Sequence, residues 1–139
     1  AAPRLDLPLV LVGGSPSDLD APPPACVTIQ APVPFPDVPD LLARSAVLLL
    51  PLADNRFGRM MTNPLKLWDY LATAVPIVAP ALPTIEEVAA ATAAPLFRYV
   101  PGDAGSLVAA VAAARRAAPR TPFLRTWQDR AAELEAAFP

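Results

Sequence analysis

The sequence contains no histidine and a single cysteine, Cys26, among 139 residues. Serine-histidine and cysteine-histidine nucleophile systems are therefore excluded within the chain, as is a transition-metal site of ordinary ligand type. A lone cysteine forms no internal disulfide, so a reducing, cytoplasmic compartment is the simpler expectation. Lysine is scarce as well: ten of the eleven basic residues are arginine, and Lys66 is the exception. A net charge of −2 and a pI near 5.0 leave no electrostatic footprint for nucleic acid. Long apolar runs are missing too. Runs such as Ala46 to Ala53 fall far short of the roughly 20 residues that span a bilayer, and no signal-peptide pattern is present. Only 6% of residues are aromatic, so the 54% hydrophobic fraction rests on alanine, leucine and valine. The length suits one domain with one core (residues 1–139), and a start at Ala1 suggests a fragment, a processed product or a trimmed chain.

The most informative stretch runs from Met61 to Pro80, M-T-N-P-L-K-L-W-D-Y-L-A-T-A-V-P-I-V-A-P, and reads as loop, helix, strand. Asn63 suits the N-cap and Pro64 the first helical position, which needs no N–H. Leu65, Trp68, Leu71, Ala72 and Val75 recur at helical spacing as a core stripe, while Lys66, Asp69 and Thr73 share another face. Pro76 ends the helix, and Ile77 to Ala79 form a short strand. A helix N-terminus opening toward a cleft offers free amides to a phosphate. Equally, Asn-Pro is an ordinary helix start, and Lys66 with Asp69 an ordinary surface pair.

The segment Pro64 to Pro80 resembles the donor-binding signature of the family 4 (group 1) retaining glycosyltransferases, which have the GT-B fold. A weaker similarity extends from about Leu9 to the C-terminus, in the element order of that family's nucleotide-sugar-binding half. The fold expected is thus α/β, a Rossmann-like parallel sheet flanked by helices, here without its first strand-helix unit.

The rest of the chain fits an alternation of strands and helices. Leu9 to Val12 is an apolar run ending in Gly13-Gly14, as for a strand buried on both faces before a tight turn. Ser15 to Pro39 holds eight of the twenty prolines, predicting irregular chain with one short strand at Cys26 to Gln30. Asp37 or Asp40 is placed to cap a helix reaching about Ser45, with Leu41 and Leu42 inward. Val47 to Pro51 reads as a central parallel strand, and Leu52 to Thr62 as the loop at its carboxyl end, where open α/β sheets place ligands. Arg56 and Arg59 in that loop are either diphosphate clamps or solvated charges. Thr84 to Glu87 has capping-box spacing for a helix to about Ala91, followed by a strand at Leu96 to Val100. Leu107, Val111 and Ala114 mark one face of the next helix, whose last turn carries Arg115 and Arg116. Thr121-Pro122 opens a final helix with Phe123, Trp127, Ala131, Leu134 and Phe138 on one stripe, for core packing or for contact with another domain.

The resemblance implies a sugar transfer with retention from a nucleotide-diphosphate sugar, with no metal or other cofactor. In that family a pair of glutamates flanks the site. Asp69 stands where the ribose-holding one is found, and Met61 where the sugar-contacting one is found. Methionine cannot replace a carboxylate, so the amides of Met61, Thr62 and Asn63 take over that contact, or the sugar differs, or activity is lost. Pro64, Leu65 and Lys66 belong to the shared P-L-K pattern, and Gly13 lies in a loop that the family places near the donor. Ala31 stands where a glycine is usual. The acceptor side belongs to an N-terminal half absent from this chain, which in the whole enzyme would sit in the cytoplasm, at the inner face of a membrane through that half. With the usual strand order one central strand is missing, so the Leu9 and Val47 strands pair directly or another chain fills the gap. Two other readings stay open: a catalytically silent interaction or scaffold domain, and a receiver-like or flavodoxin-like domain. The latter is disfavoured because Leu50-Pro51 occupies the place of a receiver's aspartate.

Overall fold

The computed structural model describes residues 2–5, 7–19 and 21–138. It has two parallel sheets. In the first, β1 (Leu9–Val12) pairs with β2 (Val27–Gln30), in register Leu9 to Val27. In the second, β3 (Leu48–Leu49), β4 (Ile77–Pro80) and β5 (Leu96–Tyr99) lie side by side in chain order. The helices are α1 (Val38–Ala43), α2 (Arg56–Met60), α3 (Leu65–Leu71), α4 (Pro83–Thr92), α5 (Ala104–Arg115) and α6 (Trp127–Ala137). Among the described residues no helix is long and apolar enough to cross a membrane.

Three layers form around β4, whose four residues are all buried. Ile77 and Ala79 point to one side, into a core with Leu67 and Leu71 of α3 and Ile85 and Val88 of α4. Val78 points to the other, against Val111 and Ala114 of α5, and Leu5 packs into the same cluster. A parallel strand covered on both faces needs a continuous apolar sequence rather than an alternating one, which is what I-V-A supplies.

The Val47 run forms a parallel strand and packs into both core clusters, but it is not central. Only Leu48 and Leu49 form the strand, and β4 is their sole strand neighbour among the described residues. β1 and β3 are not hydrogen-bonded to each other, so the direct pairing does not occur. Nor is β1 buried on both faces: β1 and β2 alternate half-buried and exposed residues.

Three helix readings change as well. The stripe of α3 is Leu67 and Leu71, both fully buried, while Leu65 is 79% exposed. The motif has apolar residues at 65, 67, 68, 71 and 72, so several stripes fit its spacing, and packing selects one. The helix also stops at Leu71, well before Pro76. Its terminal carbonyls are taken by the segment after α5. The Arg120 amide donates to Ala74 O (3.0 Å) and the Phe123 amide to Leu71 O (2.7 Å). The buried Arg120 guanidinium donates to Val75 O (3.1 Å) and to the Tyr70 carbonyl. A cation at a helix C-terminus is favoured by the aligned peptide dipoles. This same segment keeps Phe123 in an extended stretch, its ring 6.2 Å from that of Trp68, so the final helix begins later, at Trp127. There Thr126 and Asp129 form a reciprocal capping box. The box foreseen at Thr84 does not form, because the Thr84 hydroxyl donates to Gly58 O (2.6 Å) and α4 starts on Pro83.

Candidate functional site

The loop after β3 is not irregular throughout: it contains α2. Asn55 is extended (φ −138°) and its Oδ1 accepts from the Gly58 amide at 2.8 Å, which caps the turn. Gly58 is buried, and a Cβ there would stand 2.2 Å from Ala53 O. Only glycine lets this turn sit so close to the preceding strand end. The signal was present in the sequence, since Asn55 stands three residues before Gly58.

Arg59 is not free for a phosphate. It makes a two-pronged pair with Asp54, Nη2 to Oδ2 at 2.8 Å, and this pairing holds the Asp54 carboxyl below its ordinary range. Arg56 is exposed and has no ion-pair or hydrogen-bond partner among the described residues. Asn63 is not the cap of α3. Its Oδ1 accepts from Trp68 Nε1 at 2.8 Å, while Pro64 occupies the cap position without a side-chain bond. Asn63 therefore braces the ring that Phe123 covers. The Thr62 and Asn63 amides have no backbone partner among the described residues.

Met61 is 68% exposed. Thr62 and Pro64 are half-buried, and Leu65, Lys66 and Asp69 are exposed. Lys66 and Asp69 do not form the surface pair that their spacing allows, so both remain uncommitted. The negative charge of Asp69 is felt by its neighbour Tyr70, whose hydroxyl is pushed up in pKa first by burial and then by that charge. Gly13 closes β1 with φ 90°, donating to Gln30 O at 3.0 Å; it belongs to the other sheet from Met61 to Asp69.

An open cleft of about 550 Å³ lies at the carboxyl ends of β3 and β5. Its walls are Pro51, Leu52, Ala53 and Asp54 on one side and Tyr99, Pro101 and Gly102 on the other. Leu52 to Asp54 belong to the loop that the sequence marks as the ligand end, but none of the individual site candidates lines the cleft. The nearest link is Asp54, the partner of Arg59. Tyr99 spends its hydroxyl on Leu50 O (3.3 Å), so Asp54 is the charged group of a mostly apolar wall. Pro101-Gly102, just past a strand end, is the sequence signal that marks the second wall; Gly102 has φ 82° and opens the turn into α5. Among the described residues no cluster of metal-ligating side chains forms. The chain matches no family model, no curated protein and no solved structure.

Proposed function

We propose that this chain is the donor-binding half of a GT-B glycosyltransferase of the retaining type, taking a nucleotide-diphosphate sugar at the carboxyl end of the β3–β5 layer. The observation that carries the reading is the set of uncommitted groups between Arg56 and Asp69. Asp69 is an exposed acceptor, suited to a vicinal ribose diol. Arg56 and Lys66 are exposed cations, and the Thr62 and Asn63 amides are open donors. A diphosphate needs cations and N–H groups, and a ribose needs a carboxylate. The protein's part in the reaction is to position the donor and stabilise the departing diphosphate. Arg59 joins only if the anion draws it away from Asp54. The acceptor and the remaining diphosphate contacts come from a second half, so the chain by itself binds and does not turn over.

A second reading is favoured by Met61 in place of a carboxylate and by the two unjoined sheets: a silent module with the same fold. Titration with UDP, GDP and ADP, free and as sugar conjugates, followed by amide chemical shifts, separates the two. Selective shifts at Met61 to Asp69 are expected, and Asp69→Ala should weaken binding by about 1.5–3 kcal/mol. An unchanged dissociation constant in that variant removes the ribose role, and a folded chain with no shifts leaves the silent module.

A further inference from the structure

The orientation of α2 is over-determined. Asn55 Oδ1 holds the Gly58 amide, the Thr84 hydroxyl holds the Gly58 carbonyl, and Gly58 itself abuts Ala53 O. With that residue turned inward, a rotation of about 100° per residue sets Phe57 and Met60 about 60° apart on the side away from it, and Met61 follows at the end of the helix. These three are 58%, 74% and 68% exposed, and Leu65, at the start of α3, is 79% exposed. Apolar side chains so far out of the protein project from it rather than line a groove. They also sit on a pinned turn, so the exposure is built in.

The free charge around this face is mostly positive. Arg56 precedes Phe57 and Lys66 follows Leu65; both are exposed and without a partner among the described residues. Arg59 is neutralised by Asp54, and Asp69 supplies the one uncommitted negative charge nearby, a turn further along α3. The chain as a whole carries −2, so a local surplus of positive charge beside projecting apolar groups runs against its general character.

We propose that this face docks on an anionic lipid bilayer, with Phe57, Met60 and Met61 entering the boundary between headgroups and acyl chains and Arg56 and Lys66 meeting lipid phosphates. Apolar groups that project without a groove, flanked by unpaired cations, match an interface that is fluid, apolar below and negative above. The docking shares Arg56 and Lys66 with the nucleotide reading, but it also rests on Phe57 and Met60, which a nucleotide does not need.

The test is co-sedimentation of the chain with sucrose-loaded vesicles of phosphatidylcholine alone or mixed equally with phosphatidylglycerol. The chain should pellet with the mixed vesicles and less so at high salt. The double variant Phe57→Ser with Met60→Ser should lower partitioning about tenfold or more, with an unchanged circular dichroism spectrum because both side chains are exposed. Arg56→Gln with Lys66→Gln should lower it on the mixed vesicles. Trp127→Ser with Phe138→Ser, at the two ends of the exposed terminal helix, should leave it unchanged. The proposal is overturned if the chain pellets with neither vesicle at low salt, or if the Phe57/Met60 variant pellets as well as the parent. It also falls if only the Trp127/Phe138 variant loses binding, or if the face instead drives dimerisation in ultracentrifugation without vesicle binding. Vesicle binding without nucleotide shifts would remove the donor reading alone, and the converse would remove this one alone.

Discussion

Val78 and Val10 are both valines in the middle of parallel strands, yet the first is fully buried and the second 48% exposed. The strand propensity of the two positions is the same. What differs is cover: β4 has helices over both faces, whereas β1 and β2 have no fully buried residue. The β3–β5 layer thus has the burial that stabilises a fold, and the β1–β2 pair is a marginal ribbon, since two strands alone are rarely stable in water.

The strongest way to sharpen this contrast is Leu71→Ala. It removes a fully buried side chain between α3 and the sheet and should cost about 2–5 kcal/mol in urea unfolding. Val10→Ala should cost less than about 1 kcal/mol; equal costs would break the comparison. Arg120→Met comes next. It leaves the Val75 and Tyr70 carbonyls without their cationic donor and should cost about 3 kcal/mol, while also loosening Phe123 from Trp68. Gly58→Ala follows, at about 1–3 kcal/mol, because the new Cβ meets backbone that cannot move aside. Its effect should centre on α2 and α4 amide shifts.

The smallest effect is one of pH. Glu86 is held below its ordinary value, about 4.5, mainly by the hydrogen bonds it accepts from Arg98 at 2.7 Å. A carboxylate with a depressed folded-state pKa stabilises the fold above its unfolded value, and that contribution is lost as pH falls through the lower folded one. Glu86→Gln should therefore flatten part of the stability loss between pH 5 and acid, by well under about 1 kcal/mol because the pair is exposed. Hydrogen exchange offers a check on the whole contrast: β4 amides should exchange only with global unfolding, and β1 amides much sooner.

The better-covered layer is also the more legible in the sequence. The strands at Ile77 and Leu96 and the face of α5 through Val111 and Ala114 follow from local apolar pattern, because burial there agrees with spacing. Misreadings occur where a distant partner decides. Thr84 looks like a cap, but Gly58 claims its hydroxyl from 26 positions away. Asn63 looks like a cap, but Trp68 claims it. Phe123 looks helical, but α3 holds its amide. At the candidate site the residue types were readable and their engagements were not: Arg59 is spent on Asp54, whereas Arg56, Lys66 and Asp69 are free. Of the cleft, the wall from the loop after β3 is legible, whereas the β5 wall at Pro101-Gly102 is not, because it joins a strand end distant in sequence.

Leu5 carries a consequence for how the molecule is made. β3, β4 and β5 each lie beside the next strand in the chain, joined by helical crossovers as parallel strands require. Leu5 is 8% exposed, buried among side chains such as Val78 and Val111 that belong to that layer and its last helix. Leu5 precedes α5 by about a hundred residues, so it is synthesised well before the helix that covers it. Its burial comes only after α5 has been synthesised, so the segment leading into β1 is tied down late and, by the same contact, its release would report that the layer has opened.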